Sequence, residues 1–142
     1  MKTPVVSGEA EAEAEAAPKA DPRDSERWTF QFEYKDPRGK VWSGTFTNKI
    51  LTVAEQQAAN ALTGRFAGGV PVEALEPGAR ELNAGLAHMT YSLEESAEWA
   101  KDLRALHDTS LVLSLWTKVW SHEAHYFRLI PAEDPSKAGA SE

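Results

Sequence analysis

Between Asp108 and Arg128 the chain reads DTSLVLSLWTKVWSHEAHYFR, and its apolar residues fall where one kind of element collects them. Val112, Leu115, Trp116, Val119 and Phe127 recur at steps of three and four, with Trp120 on the shoulder, so a helix gathers them on one face. That stripe has to be covered, and the rest of the chain is expected to pack on it. Asp108, Thr109 or Ser110 can accept from an otherwise unpaired amide of the first turn, and Pro131 stops the chain soon after. The helix is therefore expected over residues 109–128.

A second constraint lies near the N-terminus. Trp28, Phe30, Phe32 and Tyr34 alternate with Thr29, Gln31 and Glu33, the period of a half-buried strand. After Asp36-Pro37-Arg38-Gly39, whose residue types suit a type I turn with a bulge, a second strand is expected from Lys40 to Lys49. Trp42, Gly44 and Phe46 share its aromatic face. Gly44 leaves a gap there that invites a close approach by another segment. A lone hairpin is marginal in water, so helices or a partner must cover the aromatic face.

Between hairpin and stripe, Thr52 with Glu55 has capping-box spacing, and Gly68-Gly69 closes the segment, predicting a helix over 53–67 that buries Ala58, Leu62 and Phe66. Its apolar face is thin, so close packing is expected. Pro77 opens a helix over 77–91 with the stripe Leu82, Leu86, Met89 and Leu93. Ser92 with Glu95 repeats the capping-box pattern and predicts another helix over 95–105.

The ends differ in composition from the middle. Residues 1–26 hold three Lys/Arg against seven Asp/Glu and include the Glu/Ala alternation from Glu9 to Ala16; residues 131–142 hold one against three. Alanine is too small and the glutamates too repulsive for a core, so both ends are expected to be disordered acidic tails. The fold class expected is α+β: a single domain over 27–130, with a hairpin over 28–49 followed by a three- to four-helix bundle. Residues 27–130 are nearly neutral, with eleven Lys/Arg against twelve Asp/Glu. No basic face is available to neutralise phosphates, so no nucleic-acid partner is expected. With no cysteine, thiol nucleophiles and thiolate metal sites are excluded. The opening MKTPVVSGEA has no hydrophobic signal region and no run approaches the ~20 apolar residues of a membrane helix, so no membrane partner is expected.

Local chemistry points away from catalysis. His122-Glu123-Ala124-His125 places its histidines at i and i+3, whereas a zincin needs i and i+4 around a glutamate. Ser43-Gly44, Ser92 and Ser121 sit in no nucleophile elbow, and Gly64, Gly68 and Gly69 form no phosphate loop. No enzyme activity, metal, cofactor or small-molecule substrate is expected. Glu123 is the odd residue, because it falls in the middle of an apolar stripe. Its carboxylate needs either an internal partner, such as Arg80, Arg104 or Arg65, or a polar contact with another subunit. The tryptophans Trp28, Trp42, Trp99, Trp116 and Trp120 are expected mostly in the core, though tryptophan is also the commonest hot-spot residue of interfaces, and the sequence does not sort them. The residues expected to bind a partner are Trp120, His122, Glu123, Trp42 and Phe46.

Several strings together resemble small morphogenesis proteins of tailed bacteriophages, the group described as tail assembly chaperones. They are Phe32 to Lys40 leading to Gly44-Thr45-Phe46-Thr47-Asn48-Lys49, then Ala67-Gly68-Gly69-Val70-Pro71, Trp99-Ala100-Lys101-Asp102-Leu103 and Val119-Trp120-Ser121-His122-Glu123. Before the His-Glu pair, where such proteins often carry an aliphatic or tyrosine with acidic residues, this chain has Trp116-Thr117-Lys118-Val119-Trp120. The resemblance implies an α+β domain without cofactor, acting by protein contact during particle assembly. Its implied partners are other phage structural proteins, a tail component first, with a homo-oligomer possible. The implied location is the host cytoplasm, or alternatively the virion. The rival expectations are a permanent virion subunit (a decoration or connector protein) with an ordering N-terminal arm, and a small metal-dependent enzyme using His122 and His125.

Overall fold

Asp36 sets the geometry of the β-hairpin near the start of the fold. Its carbonyl accepts from the Gly39 amide at 2.9 Å, and its Oδ1 accepts from the amides of Arg38 and Lys40, each at 2.9 Å. Gly39, at φ +91°, supplies the left-handed residue of a type I turn with a bulge. The turn joins β1 (Arg27–Lys35) to β2 (Val41–Lys49) in antiparallel register, with Phe30 opposite Phe46 and Tyr34 opposite Trp42.

The computed structural model describes residues 21–129. Three α-helices follow the hairpin: α1 (Val53–Phe66), α2 (Pro77–Ser92) and α3 (Thr109–Tyr126). A short strand, β3 (Leu93–Glu95), returns between α2 and α3 to pair antiparallel with β2, so the sheet order is β1-β2-β3. The protein is α+β. Its core forms where Phe30, Phe32 and Phe46 of the hairpin meet Leu111, Leu115 and Val119 of α3 and Leu86 and Met89 of α2.

The helix ends follow the side-chain chemistry of the sequence. Thr52 and Glu55 make a reciprocal capping box on α1, and Gly68 and Gly69 take positive φ just beyond its end. Asp108 caps α3 by accepting from the Ser110 amide at 2.9 Å, and its other oxygen accepts from the Tyr34 hydroxyl at 3.0 Å. One carboxylate therefore ties the hairpin to the start of the organising helix. At the far end the Leu129 amide donates to Ala124 O and the Arg128 amide to His125 O, a Schellman closure with Arg128 in the left-handed position at φ +58°. Helices α1 and α2 meet through Ala59 and Ala87, both buried, as the thin apolar face of α1 requires.

Several expectations are corrected. The helix expected over 95–105 does not form: Ser92 is buried as the last residue of α2, and Leu93–Glu95 pair with the open edge of β2 instead. Beyond β3 the chain makes two 3-10 turns, Glu98–Ala100 and Leu103–Ala105, and lays Trp99 on the hairpin. The Trp99 Nε1 donates to Ser43 O at 2.9 Å, and its ring meets those of Phe32, Trp42 and Phe46. Strand pairing and the burial of one tryptophan outweigh the helix propensity of this segment. In α1 the buried alanine is Ala59, with Ala58, Leu62 and Phe66 only half-buried. Phe127 lies outside the stripe, at 46% exposed.

The N-terminal boundary also moves, because residues 21–26 belong to the fold. A 3-10 turn, Pro22–Asp24, sits against the C-terminal end of α3, where Asp24 Oδ1 meets Arg128 Nη1 at 2.8 Å and His125 Nε2 at 3.2 Å. The same acidic residues that marked a tail by composition are here the partners of the basic end of a helix. The Glu9–Ala16 run, Pro131 and the 131–142 tail lie outside the described residues.

Two glycine substitutions test this packing with opposite signs. A Cβ on Gly44 would stand 2.5 Å from Ala97 Cβ, whereas one on Gly64, within α1, meets nothing within 4 Å. Urea denaturation is expected to show Gly44→Ala less stable by about 1–3 kcal/mol. Gly64→Ala is expected to be more stable by about 0.4–1 kcal/mol.

Candidate functional site

On α3, Trp116, Trp120 and Glu123 follow one another at steps of four and three, so they form one strip. Across from it α2 presents Ala84 and His88, one turn apart, and α1 presents Gln56, Asn60 and Thr63 around Ala59. The alanines are too short to fill the space between the three helices. What remains is an open cleft of about 240 Å³.

Its floor is held in place. Gly85 lets the Trp116 ring lie directly on α2, since a Cβ there would come within 2.8 Å of Trp116 Cγ. The Trp116 Nε1 donates to Glu81 Oε2 at 3.1 Å, and the His88 ring lies 5.0 Å from the Trp116 ring. Trp120, by contrast, stands at the rim, 41% exposed, with no aromatic neighbour among the described residues.

Glu123 is the charged residue of the cleft. Its Oε1 lies 3.6 Å from His88 Nε2, beyond hydrogen-bonding distance, and no described side chain donates to it. Burial pushes the Glu123 carboxyl above its ordinary range, and burial pushes His88 from 6.5 down to about 4. At neutral pH the imidazole is uncharged, so the two residues touch without forming an ion pair. The expected internal arginine partners are engaged elsewhere or distant: Arg80 donates to Leu75 O, and Arg104 lies 4.4 Å over the Phe66 ring. Neither they nor Arg65 line the cleft.

The other expected contact residues lie apart from this surface. His122 is fully buried on the opposite side of α3, where its Nε2 donates to Ser25 O at 2.8 Å. A carbonyl only accepts, so the proton sits on Nε2, and Nδ1 accepts from the Asn48 amide at 2.9 Å. Burial depresses His122 and the Ser25 hydrogen bond opposes that shift. Phe46 is also fully buried, so neither it nor His122 offers surface to a partner. Trp42 is half-buried at the end of the hairpin, where its Nε1 donates to Asp36 Oδ2 at 3.1 Å and Lys40 Nζ lies 4.1 Å from its ring. The aromatic hairpin face is thus covered from within. Among the five expected contact residues, Trp120 and Glu123 share one accessible surface.

His122 and His125 also part company. His125 faces Asp24 and Asp21, at 3.2 and 3.5 Å, while His122 is consumed by Asn48 and Ser25. Among the described residues no three His, Asp or Glu side chains converge as metal ligands. No described helix is long and apolar enough to cross a membrane. No protein-family model, curated protein or solved structure matches the chain.

Sequence reasoning missed His88 and Asn60, which owe their place to which face of α1 and α2 turns toward α3. The buried role of His122 had a signal. Asn48 shares the inward register of Gly44 and Phe46, a polar residue aimed at a core, and so required a buried polar partner.

The buried histidine gives stability a direction in pH. Between 6.5 and about 4 the unfolded chain binds a proton that His88 in the fold does not. Stability is whole above pH 6.5 and is lost as pH falls toward 4, by about 3 kcal/mol at most. His122 acts in the same direction. Glu123, raised in the fold, returns a smaller part of that stability as it gains its proton above 4.5. Urea midpoints measured from pH 7.5 to 4.5 are expected to fall for the parent and to fall less for His88→Leu.

Proposed function

We propose that this chain is a non-catalytic assembly protein of a tailed bacteriophage, a tail assembly chaperone that covers an aggregation-prone surface of a tail component through the α1/α2/α3 cleft. The observation that carries the reading is Trp120: it stands 41% exposed beside a half-buried carboxyl that has no donor among the described residues, in a fold whose Phe30, Phe32 and Phe46 are all in the core. An exposed tryptophan over a small, polar-edged cleft is the composition of a contact hot spot. The strings that resemble those of phage morphogenesis proteins, Val119-Trp120-Ser121-His122-Glu123 among them, include this region. Masking would work by occupation, with Trp120 and the cleft holding the client's apolar surface until polymerisation displaces them.

One feature favours a second reading, that of a permanent virion subunit. Residues 21–26 are fastened to α3 through Asp24–Arg128 and Ser25–His122, an anchor of the kind that an arm laid along a neighbour would require.

The two readings separate in a lysate of phage-producing cells, with the chain quantified in pelleted particles and in the soluble fraction. Near absence from particles with abundance in the soluble fraction is the chaperone result; fixed stoichiometric recovery in particles is the subunit result and overturns the first reading. Trp120→Ala is expected to leave stability within about 0.5 kcal/mol of the parent. The same change should weaken capture of the soluble client about tenfold or more. Unchanged capture would remove the cleft from the reading.

A further inference from the structure

We infer that the cleft between α1, α2 and α3 is a receptor for the guanidinium of an arginine side chain presented by a partner protein. The inference rests on the reading of this cleft as a docking surface, and it adds the chemistry of what docks.

Size is the first argument. About 240 Å³ lies below the ~300–1,000 Å³ of sites that enclose small-molecule ligands, while an open cleft of that volume suits one long side chain. Charge is the second. Glu123 is the one carboxylic acid lining the cleft, His88 is held neutral by burial at neutral pH, and no Lys or Arg lines the walls. A carboxyl with no donor among the described residues, in a partly desolvated place, is complemented by a cation that donates hydrogen bonds.

The third argument separates arginine from lysine. Trp116, buried, and Trp120, exposed, line the cleft together with Glu123, so a cation held there has aromatic surface as well as the carboxyl to meet. A planar guanidinium stacks on such rings, keeps its charge when desolvated and can donate through two nitrogens at once. An ammonium is more strongly hydrated and gives up its proton more readily on burial. Acceptors elsewhere in the lining extend the fit: Gln56 spends its Nε2 on Leu51 O at 3.2 Å, which leaves its side-chain oxygen available, and the Asn60 amide has no described side-chain partner.

The test is a titration of the full-length, nitrogen-15-labelled chain with N-acetyl-arginine methylamide at pH 7.5, following the Trp120 indole N–H and the Asn60 and Gln56 side-chain amides by NMR. The lysine and citrulline derivatives serve as comparisons, since citrulline keeps the shape of arginine without its charge. The expected result is saturable arginine binding with a Kd of about 1–10 mM, at least threefold weaker lysine binding, and no saturable citrulline binding. Glu123→Gln, which keeps the shape of the side chain, should weaken arginine at least fivefold while the remaining spectrum is unchanged. The inference is overturned by absent arginine binding, by citrulline or lysine binding as well as arginine, or by a Glu123→Gln variant that binds like the parent. If Glu123→Gln does not fold, Trp120→Ala takes its place with the same expectation. No phage component enters the titration, so its failure and the failure of the chaperone reading are seen separately.

Discussion

The contact on which everything else depends is that between the apolar stripe of α3 and the aromatic face of the hairpin. Phe46, Leu111, Leu115 and Val119 are fully buried there, and each such side chain contributes on the order of 1.5–3 kcal/mol when removed from water. Neither partner is stable alone, because a two-stranded hairpin is marginal and most of the stability of a helix comes from packing its amphipathic face. The polar contacts at the margins fix the angle at which they meet. Asp108 holds Tyr34 at one end of α3, and His122 holds Asn48 and Ser25 near the other.

This division explains what could be read from the chain and what could not. Wherever a signal was local, it was legible: the bulged turn at Asp36–Gly39, the Thr52/Glu55 capping box, the Asp108 cap and the gap at Gly44, which Ala97 fills. Where tertiary pairing decided, the local signal misled. Ser92 and Glu95 have the spacing of a cap, yet the open edge of β2 and the aromatic face beneath Trp99 offered that segment more than a helix could. Likewise Asp21 and Asp24 read as part of an acidic tail because the basic end of α3 that holds them is about a hundred residues away in sequence.

The candidate site was half legible for the same reason. Glu123 stood out because a carboxyl interrupts an apolar stripe, and Trp120 stood beside it. His122 looked equivalent by proximity in sequence, but one residue along a helix is a turn of 100°, and that turn carries it to the other side of α3. His88, Asn60 and the floor beneath Trp116 depend on how three helices approach one another, which Ala59, Ala84 and Gly85 permit and no single segment reveals.

A carboxyl left half-buried without a donor among the described residues costs folding free energy, which a contact with another molecule would offset. The most direct test of that claim is the stability of Glu123→Leu by urea denaturation at pH 7.5. If Glu123 has no internal partner, leucine removes an uncompensated charge and covers Trp116, and the variant should be more stable by about 1 kcal/mol. A loss of stability of similar size would mean that the fold itself holds the carboxylate, and would contradict the account.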